Sequence, residues 1–220
     1  MIESPKERPI IFSAAMVRAI IEGHKTQTRR VVNPQPADSC RNPFVGEDKI
    51  WRFECAQTLR GPISNAEDDR RCPYGQPGDR LWVRETFRTG FQKTMFSEGI
   101  IFKVDAPKAL GMDEYSDRRV WSPSIHMPRW ASLLTLELID VRVERLQEIS
   151  VNDCLAEGIP PITDADQWSK PIPKEPNLPA IYIGAYCRLW DRINAKRAPW
   201  ESNPWVWVLE FKRVSGGKHE

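Results

Sequence analysis

Apolar residues recur with a helical period at Ala14, Val17, Ile20 and Ile21, directly after Ser13 and shortly before Gly23. A hydroxyl residue at the N-cap and a glycine past the last turn are the expected ends of a short helix. A short strand over Arg8 to Phe12 precedes it. His24 to Val32 is too polar for a core strand and too β-branched to continue the helix, so it predicts a turn leading into a strand. From Asn33 to Gln76 the periodicity disappears, amid prolines at 34, 36, 43, 62 and 73 and the charged run Glu67 to Arg71. That stretch predicts an inserted excursion draped outside the core rather than a domain of its own. Order returns at the turn Pro77-Gly78-Asp79, which feeds a strand over Arg80 to Glu85. A further strand is expected at Ile100 to Val104, and Trp121 to Trp130 reads as a proline-punctuated aromatic loop.

The longest strand signal is Leu133 to Leu146. Leu134, Leu136 and Leu138 alternate on one face, whereas Ile139, Val141 and Val143 alternate in the opposite phase, so a bulge or sharp bend is expected near 138/139. Ser150 caps a short helix through Cys154 and Leu155 to Glu157, ended by Gly158. Six prolines between 160 and 179 form a linker into a helix whose face is Tyr182, Tyr186, Leu189, Trp190 and Ile193. The last strand, Trp205 to Arg213, is apolar on both faces at its start and is expected to be central. Strands outnumber short helices and one strand bends, which predicts an α+β fold built on a small, partly closed barrel. Residues 1–214 read as a single domain with insertions at 33–76 and 88–131, and 215–220 as a flexible tail.

Composition narrows the partners. The 220 residues carry 32 Lys and Arg against 30 Asp and Glu, a formal net charge of +2, which does not suit coating of long duplexes by counterion release. Nine Trp, eight Phe and four Tyr, with Arg pairs at 29/30, 70/71 and 118/119, fit stacking and a few phosphate contacts better. No run of about 18 apolar residues is present to span a membrane, and the charged N-terminal residues lack a secretory pattern. A cytoplasmic protein is expected. Its five cysteines, with no CxxC pair, are then expected to be reduced thiols.

Three ordered motifs stand out: Gly23-His24-Lys25-Thr26-Gln27-Thr28-Arg29-Arg30 after the first helix, Pro77-Gly78-Asp79-Arg80-Leu81-Trp82-Val83 before a strand, and the closing Trp207-Val208-Leu209-Glu210-Phe211-Lys212. Together they resemble the ASCH domain of the PUA-like β-barrel superfamily, over residues 8–32, 77–87 and 132–213, and the chain looks like the longer members encoded by phages and prophages. The resemblance implies an RNA, single-stranded nucleic-acid or modified-nucleoside ligand in a cleft beside the barrel. It also implies, from small bacterial members, an amidohydrolase that removes the acyl group from N4-acetylcytidine with a Lys, a Thr and a Glu. These fall on Lys25, Thr28 and Glu157. Other members resemble ribonucleases, and some only bind. No cofactor is implied.

A hydroxyl nucleophile needs a neighbouring base, and lysine serves only if its pKa falls toward neutrality through desolvation or nearby cations such as Arg29 and Arg30. In a regular strand Lys25 and Thr28 would point to opposite faces, so sharing a site requires the turn after Gly23 to persist through Thr26. Around them Thr26, Arg29, Arg30, Glu85, Trp121, His126 and Trp130 are the candidate substrate-binding residues. Each has a plainer reading. Lys25, Arg29 and Arg30 make a solvated basic edge or a phosphate-binding patch, Thr26 and Thr28 ordinary strand residues, Glu85 a surface partner of Arg84 or Arg88, and His126 a packed histidine. Cys40, Cys55 and Cys72 with His126 would make a zinc site only with an unusual spacing, so no metal is expected. Since neither Lys25 nor Thr28 falls on an apolar face, their alanine variants are expected to fold. Glu157, in the last helical turn, faces the negative end of the macrodipole and should have a cationic partner, Lys25 or an arginine of the 29/30 pair.

Overall fold

The computed structural model describes residues 4–37, 39–54, 69–92, 97–102, 121–161 and 177–214. Its elements are β1 (Glu7–Ile11), α1 (Ala14–Ile21), β2 (Gln27–Val31), β3 (Arg41–Val45), β4 (Trp51–Glu54), β5 (Arg80–Arg84), β6 (Phe87–Gln92), β7 (Ser97–Phe102), β8 (Thr135–Arg145), α2 (Val151–Ala156), α3 (Leu178–Asn194) and β9 (Trp205–Val214). The ends of α1 follow the sequence signals: the Ser13 side chain accepts from the Met16 amide, and Gly23 takes φ +79° after the Glu22 C-cap. Likewise Ser150 caps α2 in a box with Asp153, and Gly158 adopts φ +90°.

Five strands form one sheet in the order β1-β5-β8-β9-β2, with β1 and β5 parallel and the remaining pairs antiparallel. β9 lies inside this sheet and both its faces are buried. Trp205, Trp207, Leu209 and Phe211 join Ile10, Phe12, Val17, Leu81 and Val83 in one core, while Val206 and Val208 join Tyr182, Tyr186 and Trp190 of α3 in a second. The fold is therefore α+β, with one core on each face of the sheet.

β8 carries the expected bulge. Leu138 pairs with Phe211 and Asp140 with Glu210, which leaves Ile139 as the extra residue, 52% exposed. Because the inserted residue resets the period, Leu136 and Leu138 before it and Val141 and Val143 after it all reach the same core. The expected barrel is not closed among the described residues. β1 and β2 are the sheet edges, bridged by a side chain rather than a backbone ladder: the Arg30 guanidinium on β2 donates to the Ile11 carbonyl on β1 at 2.6 Å. Phe12 packs under that guanidinium at 5.1 Å and against Phe211 at 6.1 Å. An aromatic ring in the seam does not fit the roughly 4.8 Å spacing of paired strands.

Among the described residues the excursion after Asn33 supplies no strand to the main sheet, but it is not without a core role. β3 and β4 form a separate hairpin whose Trp51 packs edge-on to Trp207 at 6.1 Å and whose Phe53 packs on Trp205 at 5.3 Å. The alternation was hidden because the hairpin's other apolar residues, Phe44 and Val45, are exposed. Cys40, buried beneath this hairpin, is disulfide-bonded, which corrects the expectation of reduced thiols, whereas Cys72, Cys154 and Cys187 are free. No metal-binding cluster occurs among the described residues, and Cys55 lies outside them. The strand expected at Ile100 to Val104 is β7, paired with β6 in a second hairpin. Most of the proline linker, residues 162–176, and the tail 215–220 lie outside the described residues. No described helix is long and apolar enough to cross a membrane.

The Pro77-Gly78-Asp79 motif has a structural use. The buried Asp79 carboxylate accepts from the Lys6 amide at 2.9 Å and the Gln76 amide at 3.1 Å, tying the approach to β1 to the turn before β5. Gly75 is required beside it: φ is +106°, and a Cβ there would stand 2.5 Å from Asp79 Oδ2. Asp79→Ala, which strands two amides, is expected to cost about 1.5–3 kcal/mol, read as a lowered urea midpoint. An unchanged midpoint would deny the carboxylate this role.

Candidate active site

The turn after α1 doubles the chain back on itself. The amides of His24 and Lys25 both donate to the Ala19 carbonyl, at 2.8 and 3.0 Å. Lys25 then forms an isolated bridge with Glu157, the Thr26 amide donates to the Ala156 carbonyl at 2.8 Å, and the Thr26 carbonyl accepts from the Phe211 amide at 2.9 Å. Regular β2 begins only at Gln27. Strand parity therefore does not run unbroken from Lys25 to Thr28.

Lys25 and Glu157 make a buried ion pair. Lys25 Nζ donates to Glu157 Oε2 at 2.6 Å and to the Glu157 carbonyl at 2.8 Å, with the lysine side chain fully enclosed. The second bond uses a carbonyl that the end of α2 leaves without a helical partner. Glu157 is the C-cap of α2, where the helix field opposes a carboxylate. Its remaining oxygen accepts from the Tyr186 hydroxyl at 3.3 Å and faces Arg29 Nη1 at 3.7 Å. Gly158 completes the fit: a Cβ there would lie 3.2 Å from Lys25 Cβ, and its φ of +90° disfavours any side chain. Burial pushes the Lys25 pKa below the ordinary lysine value, Glu157 opposes the fall, and Arg30 and Arg29 add to it. Tyr186 is pushed well above the ordinary tyrosine value, first by burial and then by Glu157, so it stays a hydroxyl donor.

The two arginines of the pair have different roles. Thr28 pairs with Leu209 and Arg30 with Trp207, which puts both on the face of the sheet occupied by Phe12 and the first core. Lys25 Nζ lies 6.0 Å from the Phe12 ring that Arg30 covers, so Lys25, Thr28 and Arg30 share that side. Arg29 faces the opposite core. There it donates to Gln27 Oε1 at 2.6 Å and Glu144 at 3.1 Å, pairs with Asp153 at 3.2 Å, and has no side-chain exposure. It anchors α2 to the sheet. Thr26 is exposed. Lys25 and Thr28 are only 2% and 3% exposed, which corrects the expectation that their alanine variants leave the fold untouched.

Phe12 donates its amide to the Arg84 carbonyl at 3.1 Å, so the end of β5 lies at this end of the sheet. Glu85, the next residue, is buried rather than a surface partner, and its amide donates to Met127 Sδ at 3.3 Å. That contact attaches the aromatic loop, which holds two short 3-10 turns at Ser124–His126 and Arg129–Ala131. His126 is exposed, Trp121 is half-buried, and Trp130 projects into solvent at 74% exposure. Two contributors escaped the sequence reading: Phe12 and Tyr186. Tyr186 stood on the expected helix face, but nothing local tied that face to Glu157.

No family model and no curated protein matches the sequence. The fold is similar to the crystal structure of protein EF3133 from Enterococcus faecalis V583, described as family-model DUF984, at 9% identity and a TM-score of 0.41, over 100% of this chain and 86% of that one. A likeness of that size decides neither fold family nor function.

Two outcomes follow from the ion pair. In a lysine side-chain NMR titration, one ammonium should lose its proton below the others, and Glu157→Gln should lower that midpoint further, since the carboxylate is what holds it up. Lys25→Ala, which leaves Glu157 buried with only Arg29 and Tyr186, is expected to cost about 3 kcal/mol in chemical denaturation.

Proposed function

We propose that the chain is an ASCH-type protein of the PUA-like superfamily acting on RNA or modified nucleosides, and that it hydrolyses an acyl amide on N4 of cytidine. The observation that carries this reading is the enclosed Lys25 amine, desolvated against Glu157 beside Arg30 and Phe12. A lysine whose pKa is lowered holds a larger neutral fraction, and only the neutral amine can act as a base.

In the proposed sequence the Thr28 hydroxyl oxygen attacks the acyl carbon while Lys25 Nζ takes its proton. The tetrahedral intermediate then collapses: the bond from carbon to N4 breaks, and the ammonium returns the proton to the leaving amine. Water then adds to the resulting threonine ester with Lys25 Nζ again taking the proton, the bond from the acyl carbon to Thr28 Oγ breaks, and the ammonium returns that proton to Thr28 Oγ as the carboxylic acid leaves. Glu157 positions the amine, and Tyr186 holds the far carboxylate oxygen. Arg30 serves as the donor that grips a base carbonyl or a phosphate. Thr26, Glu85, Trp121, His126 and Trp130 remain candidates for contacts to the base and its neighbours.

A second reading has its own support. The two short bonds that clamp Lys25 leave its side chain no exposure, which suits a pocket that binds a modified base without turning it over. Release of acetate from N4-acetylcytidine, free and in RNA, separates the two. Under the hydrolase reading, Thr28→Val and Lys25→Arg, which keep shape or charge, should each lower the rate by about 10²–10⁴. A Lys25→Arg protein at the wild-type rate would end the catalytic assignment. Retained affinity with no acetate release from the wild type would favour binding alone.

A further inference from the structure

Away from the Lys25 pair, a cleft of about 300 Å³ opens between the start of β1, the β3–β4 turn and the loop before β5. Four cations line it: Lys6, Arg8, Lys49 and Arg71. Its two carboxylates are already committed. Asp79 accepts the Lys6 and Gln76 amides, and Asp48 is held chiefly by the Arg52 guanidinium, with the Ile50 amide and the charge of Arg71 adding to it, which keeps its pKa at about 2. Among the described residues the side chains of Arg8, Lys49 and Arg71 make no hydrogen bond or ion pair, and Arg8 Nε is buried without an acceptor. A buried guanidinium nitrogen without an acceptor is costly, and an anion in the cleft would satisfy it.

We propose that this cleft is an anion site for a phosphoryl group, gripped by Arg8 and Arg71 with Lys49 adding charge. Arg8 alternates with Ile10 and Phe12 along one face of the chain. Four residues at the rise of a strand separate Arg8 from Phe12 by about 13 Å. The loop before β5 carries Cys72 and Gly75, which line the cleft. A phosphate of a nucleic-acid strand and the terminal phosphate of a nucleotide present the same group to this cleft. The site stands whether or not Lys25 turns a substrate over.

The test uses the full chain and two probes: a 5′-hydroxyl single-stranded RNA oligonucleotide carrying a 3′ fluorophore, followed by anisotropy, and adenosine 5′-monophosphate, followed by calorimetry. In the Arg8→Gln/Arg71→Gln protein, affinity for the probe that binds should fall at least about tenfold. For the oligonucleotide, the slope of log affinity against log salt should become shallower by about 1.4, two contacts at about 0.7 each. Loss confined to the oligonucleotide assigns a phosphodiester, and loss with the mononucleotide assigns a terminal phosphate. Arg71 is exposed, so Arg71→Gln alone, with half the slope change, keeps the test valid if the double variant does not fold. Unchanged affinity and slope in a folded variant, or no binding of either probe to the wild type, would overturn the site. Because Lys25 and Thr28 are intact in these variants, acetate release from free N4-acetylcytidine reports separately on the catalytic reading.

Discussion

A lysine ammonium with no exposed surface must be compensated, and three parts of the chain meet to do it. The carboxylate and the carbonyl of Glu157 both receive Lys25 Nζ, the turn after α1 is folded back by the Ala19 carbonyl, and Thr26 is held between Ala156 and Phe211. The pair thus fixes where α1 ends, where α2 ends and where β2 begins. Removing one partner of such a pair strands the other, which is why the site and the fold are not independent here.

Around that pair the sheet separates two kinds of charge. On the α2 side, Arg29 and Arg142 share the carboxylates Glu144 and Asp153, and Arg142 also pairs with Glu210. Arg29 and Arg142 are thus neutralised by acidic partners, and the network holds a short helix whose own six residues would not be stable alone. On the opposite face Arg30 has a backbone carbonyl and an aromatic ring. Adjacent arginines therefore differ: one is neutralised in a structural layer, and the other stands beside Phe12, Lys25 and the sheet seam.

That seam joins the two edges of an open sheet. The β8 bulge at Ile139 keeps both halves of a long strand on one core, and increased twist at a bulge brings distant edges toward each other. Phe12 fills the gap that remains, and Arg30 spans it. The seam is thus made of side chains, and it is where the candidate chemistry gathers.

The sequence by itself determined the elements whose signals are local. Ser13 and Gly23, Ser150 and Gly158, the two-faced apolar run of β9 and the phase change at Ile139 each act over a few residues, so period and capping chemistry suffice to read them. The charge of Glu157 at a helix C-terminus also demanded a cation, and that demand was legible before the partner was known. Tertiary structure alone decided the rest. Whether Lys25 lay in solvent or in the core depended on contacts 132 residues apart, and Arg29 and Arg30 acquired opposite environments only once β2 paired with β9. The β3–β4 hairpin stayed hidden because the alternation of Trp51 and Phe53 is a single period long, Phe44 and Val45 opposite are exposed, and the partners Trp207 and Trp205 lie far along the chain. Local free energies fix helices, turns and bulges, but desolvation is a property of the assembled interior, and desolvation is what gives Lys25 its chemistry.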